Sequence, residues 1–155
     1  AIIGSANDEI RKLSASLVTP SLQSMSLKEY IELFSNSFEL ANVALETNVS
    51  INETNLGEGL KINIYRIIQE QCNNIIKYAS ATKVNINLVE KDNLLLLEIT
   101  DNGIGFDQNS KKKGIGLNNI MYRAEAYNGK VNIISSIGKG CKVFVEFTAF
   151  TEHNE

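Results

Sequence analysis

The residues from Leu94 to Thr100 are almost entirely apolar, and the run is closed at once by Asp101-Asn102-Gly103-Ile104-Gly105-Phe106. A short apolar run bounded by turn formers reads as a central strand covered by other structure. Any fold for this chain must therefore accommodate a carboxylate at the very end of a buried strand. Such a group can accept a hydrogen bond from an exocyclic amine, and the glycines behind it let backbone approach a flat ring closely. The competing reading is an Asn-Gly hairpin turn. After Phe106, however, the chain does not alternate like a returning strand. It stays polar through Lys113 and then takes up a helical pattern, which favours a functional loop.

The elements around this strand follow from periodicity. Lys83–Glu90 alternates at Val84, Ile86 and Leu88 and is a strand; further strands are expected at Lys130–Ser135 and Cys141–Thr148. A helix is expected over Leu117–Tyr127, closed by Asn128-Gly129. Upstream, Ile3, Ile10, Leu13 and Leu17 mark an amphipathic helix within residues 2–17 that Pro20 ends. Ile31, Phe34, Phe38, Ala41 and Leu45 form one stripe of a helix from Leu27 to Glu46, with Ser26 and Glu29 placed as a capping box. A short strand at Val49–Glu53 and the breaker Gly57-Glu58-Gly59 lead into a helix from Leu60 to Ala79. Its apolar face holds Leu60, Ile64, Ile67, Ile68, Ile75 and Ile76. The simplest layered solution is an α+β sandwich, a mixed sheet with helices packed on one face.

Composition narrows the chemistry. Over 155 residues, 15 Lys and Arg against 18 Asp and Glu leave a net charge of −3. That balance argues against a nucleic-acid or anionic-membrane binder. No apolar run approaches the ~20 residues of a membrane span, and no basic-then-apolar secretion signal opens the chain. The expectation is no membrane contact and a cytoplasmic setting. Cys72 and Cys141 form no CxxC pair, which fits a reducing compartment without zinc. The one histidine, His153, lies in the polar tail 151–155, so Ser/His/Asp catalysis and imidazole-bound metal are not expected.

Two further constellations bear on function. On the helix ending at Ala79, Glu70, Asn74 and Lys77 fall at i, i+4 and i+7, with Arg66 and Asn73 flanking. An acid, an amide and a cation in one column can coordinate a divalent ion, orient a phosphate and accept a proton; a plain solvated helix face has the same pattern. Gly114-Ile115-Gly116 opens the next helix behind Lys111-Lys112-Lys113. Unobstructed backbone N–H groups at a helix start beside lysines form an anion site, and a loop with solvated charges is the alternative. The P-loop is absent, and neither Gly-x-Gly extends to the third glycine of the dinucleotide fingerprint.

In sequence order, Glu70-x3-Asn74-x2-Lys77-Tyr78-Ala79, Asp101-x-Gly103-x-Gly105-Phe106, Gly114-x-Gly116-Leu117 and Gly138-x-Gly140 resemble the N, G1 and G2 boxes and terminal glycine motif of the GHKL ATPase superfamily. That superfamily joins gyrase, heat-shock chaperone, mismatch-repair and histidine-kinase ATP-binding domains. Ile64–Glu70 and Gly116–Ala124 resemble most the sensor histidine kinases of the nitrate-sensor and thermosensor type, and Glu9–Leu22 resembles the second helix of their dimerisation domain.

The resemblance implies a Bergerat-type two-layer sandwich preceded by an N-terminal helix. Residues 1–22 would be a dimerisation-domain remnant, 23–150 the ATP-binding catalytic domain and 151–155 a tail. It implies ATP and Mg²⁺ as cofactors. Asp101 would accept from the adenine amine, selecting ATP over GTP, whose six-position carries a carbonyl. Asn74 would hold Mg²⁺ and Lys77 would reach a phosphate oxygen. Gly103, Ile104, Gly105 and Phe106 would border the base. Asn73, Tyr78, Lys113, Gly114, Ile115, Gly116, Leu117 and Cys141 complete the implied nucleotide contacts. Glu70 would be catalytic with Asn74 and Lys77, either as the general base that its counterpart is in hydrolytic members or as a group that arranges Mg²⁺ or water; in kinases the base is usually an acid beside the phosphorylated histidine. Tyr78 stands where His is usual, and Cys141 where Thr or Ser is usual.

The implied partners are ATP or ADP, a phosphoacceptor helix absent from this sequence, a response regulator and a second copy in the full-length kinase, which could itself be membrane-anchored. Two other readings are an anti-sigma-type protein serine kinase, which would need no Glu9–Leu22 helix, and a non-enzymatic interaction module that has lost ATP.

Overall fold

The computed structural model describes residues 24–110 and 114–148. The helix expected in residues 2–17, Lys113 and the tail with His153 lie outside the described residues. Among the described residues, three α-helices and five strands follow in the order α1 (Leu27–Leu40), β1 (Ala44–Ser50), α2 (Glu58–Asn74), β2 (Lys83–Lys91), β3 (Leu94–Asp101), α3 (Ile115–Glu125), β4 (Lys130–Ser135) and β5 (Cys141–Thr148). The sheet order is β1-β2-β3-β5-β4, with β1 parallel to β2 and every other pairing antiparallel. The apolar run Leu94–Thr100 is thus the central strand, as its composition predicts.

Only one face of the sheet is deeply buried. Val84, Ile86 and Leu88, Leu95, Leu97 and Ile99, and Val143, Val145 and Phe147 all point to that face, in a single core with Ile31, Phe38, Ile64, Ile67, Ile68, Ile120 and Ala124 of the helices. Alternation along a strand sends Leu94 and Leu96 to the other face, where they stay half-buried. Lys142 pairs with Glu98 on that face at 3.0 Å.

α1 starts at the expected capping box: the Ser26 N–H donates to Glu29 Oε2 at 2.7 Å, and the Glu29 N–H to Ser26 Oγ at 3.1 Å. Its end departs from expectation. The helix stops at Leu40 rather than Glu46, and Ala41 and Leu45 are not part of its stripe. Asn42 takes a left-handed φ of 56°, and the Val43 N–H donates to the Phe38 carbonyl at 2.8 Å, a closing turn that satisfies late helix carbonyls. The next seven residues, Ala44 to Ser50, pair in parallel with β2, so the strand begins before the expected Val49. Of the rest of that expected strand, Ile51 and Asn52 leave the sheet and Glu53 opens a 3-10 turn, Glu53–Asn55, capped by the Asn52 side chain.

α2 begins two residues early, at Glu58 with Gly57 as its cap, and is α-helical only to Asn74. Ile75–Ala79 form a π turn, closed by Ser80 at φ 49°. Ile76 leaves the expected apolar face and is exposed, being at the margin of the stripe where the wider turn begins. α3 likewise begins two residues early, at Ile115 rather than Leu117.

The end of α1 gives a direct test. A β-branched side chain is poorly tolerated in the left-handed region. Asn42→Val should cost about 1–2 kcal/mol in urea unfolding, whereas Asn42→Gly should lie within ~0.5 kcal/mol of the parent. Equal cost for both substitutions would show that the side chain, not the backbone, ends the helix.

Candidate functional site

Strand register places a polar row at one end of the buried face. Val84 faces Asp101, Asp101 faces Cys141, and Cys141 faces Ser135, across β2, β3, β5 and β4. Asp101 is only 4% exposed. Its Oδ1 accepts from the Gly103 N–H at 2.8 Å, and its carboxylate also accepts from the Cys141 backbone N–H. Burial raises its pKa above the ordinary 3.8, against the pull of those two N–H groups. Burial likewise pushes the Cys141 thiol up to about 11, so this sulfur is a neutral thiol at physiological pH.

Two loops are stitched together over this row. Ser135 Oγ accepts from the Phe106 N–H at 2.9 Å and donates to the Gly140 carbonyl at 2.8 Å. The Gly138 N–H donates to the Ile104 carbonyl at 2.6 Å. The Gln108 amide donates to the Ile133 carbonyl. The segment after β3 is therefore an ordered wall. The Asn-Gly hairpin alternative fails, because Asn102 is an anchor: its Oδ1 accepts from the N–H groups of Thr82 and Lys83, both at 2.9 Å.

The end of α2 supplies the second wall. The π turn that continues it is tied to the loop, since the Ile104 N–H donates to the Ala79 carbonyl at 2.7 Å. That contact explains Gly103, where a Cβ would stand 2.2 Å from the same carbonyl oxygen. One turn or so earlier is Asn74, and a further turn back is Glu70; both are half-buried and lie beside the start of α3. A Cβ on Gly116 would lie 2.6 Å from Glu70 Oε1 and 3.0 Å from both Asn74 side-chain heteroatoms. Two members of the helical column expected from the sequence, Glu70 and Asn74, thus face the N-terminal turn of α3, whose cap residue Gly114 adds no side-chain hydrogen bond to the unpaired N–H groups. The third, Lys77, falls in the π turn, where the α-helical pitch is lost, and is exposed.

The structure therefore gathers Asp101, Gly103, Gly105, Phe106 and Cys141 at one wall and Glu70, Asn74 and Gly116 at the other, with Leu117 packed against the core. Asn73, Lys77, Ile104, Gly114, Tyr78 (69% exposed) and Ile115 (82% exposed) lie open to solvent. Sequence reasoning passed over Ser135, whose hydroxyl joins the two loops, and Gln71, buried beside Cys141. Gln71 could have been found as the polar residue within the apolar phase of α2. No group of three or more His, Cys, Asp or Glu converges on a metal position among the described residues. The oxygen donors of Glu70 and Asn74 suit a hard cation that takes its other ligands from phosphate and water.

Comparison with known proteins gives the family. Residues 59–150 match the family described as histidine kinase-, DNA gyrase B- and HSP90-like ATPases, and the chain belongs to that family. Among characterised relatives, the sensor histidine kinase LiaS of Bacillus subtilis is 31% identical over 150 residues, covering 96% of this chain and 41% of LiaS. The oxygen sensor histidine kinase NreB of Staphylococcus carnosus is 32% identical over 145 residues, covering 90% of this chain and 41% of NreB. The chain thus spans less than half the length of these relatives. Full-length ShkA, solved in complex with AMPPNP, shares the fold with a TM-score of 0.66 at 19% identity, over 81% of this chain and 30% of ShkA. The fold is the α+β sandwich of histidine kinase ATPase domains. No helix among the described residues is long and apolar enough to cross a membrane.

The two close-approach glycines should behave differently. Gly103→Ala pushes a Cβ into backbone and should lower stability by about 1–3 kcal/mol. Gly116→Ala meets only side-chain ends and gains about 1 kcal/mol of helix propensity, so its melting temperature should hold while Glu70 and Asn74 are displaced. Thermal unfolding of both variants checks this, and equal losses would contradict it.

Proposed function

We propose that this chain is the ATP-binding catalytic region of a sensor histidine kinase, which positions Mg-ATP for transfer of the γ-phosphoryl group to a histidine on a dimerisation helix. The observation that carries the reading is the convergence of Glu70 and Asn74 on Gly116 at the start of α3, with the buried Asp101 carboxylate held by a loop that is tied to the π turn continuing α2. Residues 1–22 fit the end of the dimerisation domain, and residues 23–150 the catalytic domain. The phosphoryl group would pass on to a response-regulator aspartate.

Each residue has work that its place permits. Asp101 accepts from the adenine amine; a guanine would present a carbonyl to the same carboxylate and be repelled. Gly103, Gly105 and Phe106 border the ring. Asn74 would hold Mg²⁺, with Glu70 beside it to orient water and Lys77 reaching a phosphate. When bound, Mg²⁺ neutralises charge on the phosphates. The N–H groups at the start of α3, beside Gly114 and Gly116, add anion contacts. Most of the catalysis is then positioning and charge stabilisation.

Calorimetric titration should give saturable binding of Mg-ADP, much weaker binding of Mg-GDP, and a loss of about 10- to 100-fold in Asp101→Asn, the worth of a charged hydrogen bond. Absence of heat at millimolar nucleotide from the folded chain would support an interaction module instead. The same titration carries a pH signature. A carboxyl whose pKa is raised by folding takes up its proton earlier as pH falls, so ADP affinity should be flat above neutrality and decline on acidification before pH 3.8 is reached. Asp101→Asn should lack that decline.

A further inference from the structure

Against the polar row lies a strong acceptor without a partner among the described residues. Gln71 is 3% exposed, and its Oε1 makes no hydrogen bond among the described residues. It belongs to α2, one residue after Glu70, on the side of the helix that packs against the sheet. Its carboxamide reaches the Cys141 thiol, and Cys141 is the residue directly across from Asp101, to which it also gives its backbone N–H. The other groups in the row are committed or weak. Ser135 Oγ both accepts and donates, Asp101 Oδ1 holds the Gly103 N–H, and a neutral thiol is a poor hydrogen-bonding group.

A buried acceptor left unpaired costs about as much as a lost hydrogen bond, so something that donates to it is expected at this place. An adenine held by Asp101 presents two amine protons, and the carboxylate needs only one of them. We propose that Gln71 is a second base-recognition residue, whose Oε1 takes the remaining amine proton of adenine, directly or through one trapped water, and so reads the amine as a two-proton donor. The inference rests on the nucleotide reading above and extends it from the carboxylate to the neighbouring helix.

The chemistry distinguishes this role from a merely structural one. Gln71→Met keeps the length and volume of the side chain and removes the acceptor. N6-methyl-ADP replaces one amine proton with a methyl group and keeps the other for Asp101. The parent chain should bind ADP about tenfold more tightly than N6-methyl-ADP. Gln71→Met should bind ADP about tenfold more weakly than the parent and should no longer distinguish the two nucleotides. A variant that weakens both nucleotides equally, or changes neither, overturns the proposal. If Gln71→Met fails to fold, the parent chain answers alone. The Gln71 side-chain amide resonances should move on adding ADP and move much less with purine riboside diphosphate, which has no amine; equal movement overturns the proposal. Failure of the parent chain to bind any adenine nucleotide would defeat the nucleotide reading and this inference together, whereas ADP binding without coupling to Gln71 would defeat only the inference.

Discussion

A carboxylate is held out of water at the end of a strand whose other inward residues, Leu95, Leu97 and Ile99, are all apolar. Burying a charged oxygen without partners is costly, and Asp101 is stable there because two backbone N–H groups, from Gly103 and Cys141, are aimed at it. Those two donors come from different segments, the loop after β3 and the first residue of β5. Holding the carboxylate therefore fixes both segments relative to each other. The Ser135 hydroxyl and the Gly138 to Ile104 hydrogen bond then join the same loops a second time.

The opposite wall is built differently. Glu70 and Asn74 ride on a regular helix, but their usefulness depends on how closely α3 starts beside them, and Gly116 sets that distance by having no side chain. The π turn at Ile75–Ala79 carries the chain from this polar wall to the loop over Asp101, with the Ala79 carbonyl as the junction. One end of the proposed site is thus buried and hydrogen-bonded, as a bound base would require. The other is lined by exposed or half-exposed polar groups suited to phosphates and a hydrated cation. That division is what the proposed nucleotide reading asks for, a flat base at one end and charged phosphates at the other.

Much of this was legible beforehand because it depends on local rules. The capping box at Ser26 and Glu29 formed as spaced, and strands Lys130–Ser135 and Cys141–Thr148 have the bounds that alternation predicts. The column of Glu70 and Asn74 follows from helical pitch alone. The misses arose where a local pattern had a tertiary competitor. Ala41 and Leu45 fit the stripe of α1, yet parallel pairing with β2 claimed the chain from Ala44 onward. Gln71 looked like a filler between Glu70 and Cys72, because nothing local indicates that it will meet Cys141 from a strand seventy residues away in sequence.

The sequence by itself determined which residues are chemically equipped: a carboxylate ending the central strand, an acid and an amide one helical turn apart, and glycines where backbone must come close. Periodicity and composition carry that information, since they act over a few residues. Only the tertiary structure decided which of them meet. Cross-strand register set Asp101 beside Cys141, and helix packing brought Gly116 against Glu70 and Asn74. Register and packing are set by burying one face of the whole sheet against the helices, a condition no single segment can express.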